Sequence, residues 1–426
     1  MKKLSGRMFK FNTDRILFIA LLVLYSAVML YLFINECFQT PDFTSDMPAY
    51  VNKVAGIRDE YEFPYPLLFW LAKLFSFISS PPMGLAFATM LLNTLGVIIT
   101  RYYFNALSEG MFSEKYIENR LFQHTLTISV YMLFLLGNLY GPQNHTFFGF
   151  DYIYRIKGIY NPNPFWNATY LATRPFAIIC FFSGAELLNR IKADKEGKAP
   201  LGIRECLIFA VSLFLTTFTK PSFTMVFVPV MGFLLLYYLI RSKGKTFKSS
   251  FIIGISMLPT ALDLCYQFFG VFSGTNALGE DAGVAIGFLK MWGYYSNNIP
   301  LSIVMGMAFP IGVFFLNLIF DRANIINTPC YLLSWFVYII SMIMMMTFYE
   351  KGFRLLHANF SWGYMHGMFF VFMISIILMI KNSVDWKGSW KLIFVPAEWG
   401  VLLFHLGCGI NFLIFALGGN ELALFG

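Results

Sequence analysis

Residues 37–66, CFQTPDFTSDMPAYVNKVAGIRDEYEFPYP, decide how the chain is read. They follow a long apolar run at 15–36. With Glu36 just upstream they gather six carboxylates: Glu36, Asp42, Asp46, Asp59, Glu60 and Glu62. A carboxylate-rich loop tied to hydrocarbon-seeking sequence is where chemistry is expected to be held at a membrane face.

The surrounding chain supplies the membrane. Its 426 residues are 58% hydrophobic and 13% charged, with mean hydropathy +0.63, whereas soluble domains are about a quarter charged. The apolar residues come in continuous runs and do not alternate, which argues against a transmembrane β-barrel. The fold class expected is therefore an all-α polytopic membrane protein. Runs long enough to span fall at 15–36, 83–104, 122–140, 172–188, 205–219, 222–241, 251–270, 301–320, 330–348, 365–381 and 392–417, about eleven in all. The first run exceeds the roughly 7–15 apolar residues of a secretory leader, and no small-residue cleavage site follows it.

Loop charge tests this topology. With the N-terminus cytoplasmic, 21 of the 31 Lys and Arg fall on the cytoplasmic side, including the clusters RIKADKEGK and RSKGKTFK. That is the sense of the positive-inside bias. The chain then reads as one integral-membrane domain, 1–426, with four outer loops at 37–82, 141–174, 271–300 and 349–366. The net charge of +8 is expected to meet anionic lipid on the cytoplasmic face. No basic patch interleaved with aromatics suggests nucleic acid. The six cysteines are scattered, without CxxC or Cys/His spacing, and read as small core residues.

Within the first outer loop, Asp46 to Asp59 reads as a short helix, with Asp46 at its cap or in its first turn. After FPYP at 63–66 comes LLFWLAKLFSFISS. It is too short to span comfortably and suits an interfacial helix. The second outer loop is dense in Tyr, Phe, Trp, Asn and Pro. Such residues suit a membrane surface and also sugar binding, with aromatic faces on C–H groups and carboxamides on hydroxyls. The 205–219 and 222–241 runs form a tight hairpin through Thr219-Lys220-Pro221-Ser222. The fourth outer loop, YEKGFRLLHANFSWGYMHG, gathers Lys351, Arg354, His357, Asn359, Trp362 and His366. Asp263 and Glu398 fall within or near spans, where an ionisable group is either functional or satisfied by a neighbouring helix.

The cytoplasmic loops are short and basic and carry no phosphate-binding fingerprint. An enzyme facing outward needs a substrate already activated and delivered through the membrane. At this point the chain resembles the GT-C superfamily of integral-membrane glycosyltransferases, which use polyprenyl-phosphate sugars. The resemblance lies in the acidic residue of PDFTSDMPAY, in the two juxtamembrane helices divided by FPYP, and in the late basic loop EKGFRLLHANFSWGY. It implies inverting transfer of a sugar to a glycan, lipid or cell-envelope acceptor at the outer face of the plasma (inner) membrane. A carboxylate would act as base, and a cation would receive the leaving phosphate.

The resemblance points to Asp46 as base, four residues before the aromatic Tyr50, with Asp42 second. Helix capping is the competing reading of Asp46. Arg354 and His357, with Arg174 second, are candidates for the donor phosphate, against the alternative that they snorkel as interface anchors. Lys351 reads as such an anchor. Tyr50, Asn167, Asn359 and Trp362 are candidate sugar contacts. Some members of the superfamily need a divalent metal, but the first loop has no Asp-x-Asp. Two other functions compete: a polymerase or ligase of lipid-linked glycans, and a transporter or flippase, which would place its charges along the spans.

Overall fold

Apolar runs in a membrane satisfy their backbone by becoming helices, and the chain is all-α apart from two short ribbons. In this computed structural model the residues described are 8–40, 43, 45–57, 62–139, 146, 147, 150, 151, 158–193, 201–272 and 283–419. Asp42, Asp59, Glu60, His145, Glu280 and Asp281 lie outside them.

The first elements are α1 (Asn12–Cys37), α2 (Met47–Ala55), α3 (Leu67–Ser76), α4 (Pro81–Met111), the single turn α5 (Glu114–Ile117) and α6 (Arg120–Leu135). Strands β1 (Thr146–Phe147) and β2 (Phe150–Asp151) pair antiparallel. Next come α7 (Ala168–Ala193), α8 (Ile203–Thr219), α9 (Ser222–Arg241), α10 (Phe247–Ser256) and α11 (Leu258–Phe272). Strand β3 (Val284–Ile286) precedes α12 (Trp292–Tyr295), α13 (Ile299–Phe320), α14 (Arg322–Ile326), α15 (Pro329–Thr347) and β4 (Phe348–Glu350). A 3-10 turn, Gly352–His357, leads into α16 (Ser361–Asp385) and α17 (Lys391–Leu417).

Among the described residues eight helices are long and apolar enough to cross a membrane: α1, α4, α7, α9, α13, α15, α16 with the turn before it, and α17. The other three of the eleven apolar runs differ from simple spans. Helix α6 has 16 residues and α8 has 17. At 1.5 Å per residue these reach about 24–26 Å, short of the roughly 30 Å hydrocarbon core. The run at 251–270 is split into α10 and α11, bent by 41°. Pro259, in the first turn of α11 and lacking an N–H, accounts for the break. Counted as one span, the bent pair makes nine.

Two helices organise the bundle. A helix that is apolar on every face belongs inside, and the apolar window of α16 is 100% buried. It packs on α15, α13, α9, α17, α4 and α6. Helix α7 is the next most enclosed and packs on α8, α4 and α9. At one end, α2 and α3 fill the connection between α1 and α4. At the other, Arg101 of α4 and Asp14 of α1, both fully buried, pair at 2.8 Å. Thr127 donates to Asp14 at 2.6 Å, and Arg101 donates to Thr127 at 3.0 Å and to Gln123 at 3.1 Å. Such a pair holds together when its remaining polar atoms are satisfied, as they are here.

Backbone contact closes α17 onto the end of α6. A Cβ placed on Gly409 would stand 1.9 Å from the Leu135 carbonyl oxygen and 2.4 Å from the Gly137 nitrogen. Gly409→Ala is therefore expected to destabilise the protein by about 3 kcal/mol or more, since backbone cannot yield as a side chain does. Gly400→Ala, on the same helix with nothing within 4 Å of the added carbon, is expected to be neutral or stabilising by up to about 1 kcal/mol. Thermal unfolding of both variants in detergent checks the contrast.

Candidate active site

Helix α2 forms where Pro48 sits in the first turn, a position at which no intrahelical N–H is lost. It ends at Gly56, whose φ of +75° places it in the left-handed region that glycine tolerates. Asp46 stands at the N-cap position but makes no capping bond with its side chain. Ser45 Oγ accepts from the Met47 amide instead, at 3.1 Å. The Asp46 carboxylate is thus turned away from its own helix, and its Oδ2 accepts from Asn167 Nδ2 at 2.6 Å.

Asn167 is the hub of the site. It precedes Ala168, the first residue of α7, and its Oδ1 accepts from the Tyr170 amide at 2.9 Å, which caps that helix. The same Oδ1 accepts from Thr169 Oγ1 at 2.9 Å and from Lys220 Nζ at 2.9 Å. Its Nδ2 also donates to the Tyr50 hydroxyl at 3.0 Å. Lys220 donates further to Thr169 Oγ1 at 3.0 Å, and its Nζ lies 4.0 Å from the centre of the Trp362 ring. Asn167 and Thr169 belong to an Asn-x-Thr triplet, yet both are buried and engaged in this network.

A cavity of about 820 Å³ opens beside the hub. Its polar lining includes Asp46, Tyr50, Asn167, Lys220, Glu350, Arg354, His357, Asn359 and Trp362. The FPYP step contributes Phe63, Pro64 and Tyr65. Tyr50, Phe63, Tyr65 and Phe69 pack ring against ring. Another wall is largely apolar: Leu264, Phe268, Phe269 and Val271 of α11, with Cys265 and Gln267. Phe269 is 64% exposed on its outer side, so the wall faces the surroundings of the bundle as well as the cavity.

The basic side is positioned by a ribbon. Strands β3 and β4 pair antiparallel, with Val284 opposite Glu350 and Ile286 opposite Phe348. The pairing continues through Lys351 N to Gly283 O at 2.8 Å and Gly287 N to Thr347 O at 2.8 Å. This fixes the 3-10 turn that follows. With three residues per turn, Arg354 and His357 share one face of it. Tyr295 secures the turn by donating to the Leu356 carbonyl at 2.6 Å. Asn359 donates to Glu350 and accepts from Trp362 Nε1 at 3.3 Å. Lys351 is exposed and does not line the cavity.

The charges act on one another. Burial pushes the Tyr65 phenol up, an effect opposed by Arg354 and reinforced by Asp46 and Glu350. Burial raises the Glu350 carboxyl, opposed by the Asn359 hydrogen bond and by Arg354. Burial drives the Lys220 ammonium down to about 7, against the pull of Asp46.

The structure brings Asp46, Tyr50, Asn167, Arg354, His357, Asn359 and Trp362 into one cavity lining. It does not bring Arg174 there. Arg174 lies in the second turn of α7, 1% exposed. Its Nη2 donates to Pro162 O at 2.6 Å and to Asn163 Oδ1 at 2.7 Å, and its guanidinium rests against Phe134, Tyr170 and Phe369. The buried segment 158–167 folds over it, so Arg174, the second candidate for the donor phosphate, is enclosed by protein. Glu62, one of the six carboxylates of the first loop, is exposed and lines the cavity, 3.6 Å from Lys53. Asp263 accepts from Gln267 at 2.9 Å and Glu398 from Asn382 at 2.8 Å. Among the described residues no group of three His, Cys, Asp or Glu is arranged to hold a metal ion. Sequence reasoning missed Lys220. The available signal was a lone cation in a two-residue hairpin beside Pro221.

Comparison of the chain with protein-family profiles, curated proteins and solved structures returned no match.

The hub carries a stability prediction. Asn167→Ala removes the α7 cap and is expected to cost about 1–2 kcal/mol. Tyr50→Phe is expected to cost about 1 kcal/mol. Because both act on one network, the double variant should deviate from the sum by about 0.5 kcal/mol or more, measured by thermal unfolding in detergent.

Proposed function

We propose that the protein is an integral-membrane glycosyltransferase that moves a sugar from a polyprenyl-phosphate donor to a hydroxyl acceptor at the outer face of the plasma (inner) membrane. The observation that carries this reading is the single cavity in which the Asp46 carboxylate faces a lining that also holds Arg354, His357 and Lys220, with an apolar wall along α11. An amphiphilic donor calls for that combination of a base, cations for phosphate, and an apolar surface for a prenyl chain. The likeness of the first loop and late basic loop to GT-C enzymes supports the same reading.

In this mechanism the acceptor hydroxyl attacks the anomeric carbon while its proton passes to Asp46. The new C–O bond forms as the bond from the anomeric carbon to the phosphate oxygen breaks. The lipid phosphate leaves with the electron pair, and the configuration inverts. Arg354 and His357 lie on one face of their turn and meet the charge that develops on the phosphate. Asn167 holds the Asp46 carboxylate by one oxygen, which orients the base. Tyr50, Asn359 and Trp362 supply hydroxyl, carboxamide and ring contacts for sugar.

The test is transfer from a panel of radiolabelled polyprenyl-phosphate sugars by the protein in membranes. Asp46→Asn is expected to lower turnover about 10²–10⁴-fold while donor binding persists. Arg354→Ala is expected to lower it about 10²–10³-fold. Unchanged turnover in Asp46→Asn would remove it as the base.

A further inference from the structure

Lys220 is 7% exposed and forms the hairpin between α8 and α9 with Pro221. Its ammonium has three N–H donors. The oxygens that accept from it, Asn167 Oδ1 and Thr169 Oγ1, are neutral, and the Trp362 indole covers a further side. Among the described residues no carboxylate forms an ion pair with it. Asp46 acts on it from across the Asn167 carboxamide, which donates to one and accepts from the other. A buried cation without a counter-ion is costly, and this one lines the cavity. An anionic ligand there would supply the charge that the protein does not.

Resting on the lipid-phosphate reading of the cavity, we propose that Lys220 is an anion clamp loaded by protonation: a phosphate ester anion enters as its counter-ion, and Lys220 takes up a proton from solvent as the anion binds. The neutral amine becomes an ammonium, and one positive charge meets one negative charge. The charged and titratable groups around it are Asp46 at the head of α2, Tyr50 from α2, Tyr65 ahead of α3 and His366 from α16, on whose other side Arg174 of α7 acts. Glu350, Arg354 and His357 complete the ring. Burial raises both tyrosines, so they stay neutral near pH 7. Burial holds Lys220 near 7, where about half the empty sites carry a neutral amine.

Isothermal titration of the purified full-length protein in detergent tests the clamp. The ligand is methyl farnesyl phosphate, a diester whose single charge does not titrate near neutrality, so protons counted belong to the protein. Buffers of different ionisation enthalpy give the proton uptake. The expected uptake is about half a proton at pH 7 and about 0.9 at pH 8, with affinity falling about tenfold per pH unit above 7. Lys220→Arg should bind without proton uptake, and Lys220→Met should lose about tenfold or more in affinity.

Dimethyl phosphate is the free-anion arm. Binding with the same uptake supports a clamp that reads phosphate alone. Binding of the farnesyl diester only supports one that also needs the apolar wall. Binding without proton uptake in the wild type, undiminished in Lys220→Met, overturns the clamp and leaves the transferase reading standing. Failure of a folded protein to bind either diester overturns the lipid-phosphate reading itself.

Unfolding without ligand gives an independent readout. The Lys220 ammonium falls from its ordinary 10.5 to about 7 in the fold, so the unfolded chain binds more protons between those values. Stability should rise with pH across that window, and Lys220→Met should lose the rise. A rise that persists in Lys220→Met contradicts the assignment.

Discussion

The Asn167 carboxamide holds the site together. It donates to a carboxylate, accepts from an ammonium and caps α7, each within hydrogen-bond distance. Those bonds tie α2, α7 and the α8–α9 hairpin at one point. The positive end of the α7 dipole also lies beside Asp46, where negative charge is favoured. A charged pair in direct contact would neutralise itself. With a carboxamide between them, Asp46 remains an acceptor and Lys220 remains a donor, each with a face on the cavity.

This arrangement depends on a scaffold that does not shift. Helix α16 is enclosed along its apolar length, and the 3-10 turn with Arg354 and His357 leads directly into it. The β3–β4 ribbon holds that turn against the third loop. Trp292 links the third loop to the second by donating to the Gly158 carbonyl at 2.9 Å. Three loops distant in sequence thus behave as one wall. The buried Asp14–Arg101 network pins α1, α4 and α6 at the far end, while α2 and the FPYP step face the cavity.

Much of this was legible in sequence because polar residues are rare in so apolar a chain. Asp46, Tyr50, Arg354, His357, Asn359 and Trp362 stood out for that reason, and topology put their loops on one side. Lys220 did not stand out. Its partner Asn167 is 53 positions away, and a single cation in a tight turn looks like any surface lysine. Arg174 stood out as a cation, but hydropathy does not record that residues 158–167 fold back over it and enclose it. The span count exceeded the helices long enough to cross because apolar character alone does not reveal that α6 and α8 are short or that Pro259 divides a run. The β3–β4 ribbon, three residues per strand, is too brief to show as alternation.

In the proposed mechanism one cavity holds donor phosphate and base on opposite sides of the reacting carbon. A structure of the protein with a non-transferable C-glycosidic analogue of a polyprenyl-phosphate sugar tests it most directly. The phosphonate is expected within hydrogen-bond reach of Lys220 and Arg354, the prenyl chain along α11, and the anomeric carbon between the phosphonate and Asp46. An analogue bound with its phosphonate away from these cations, or with Asp46 on the leaving-group side, would contradict it.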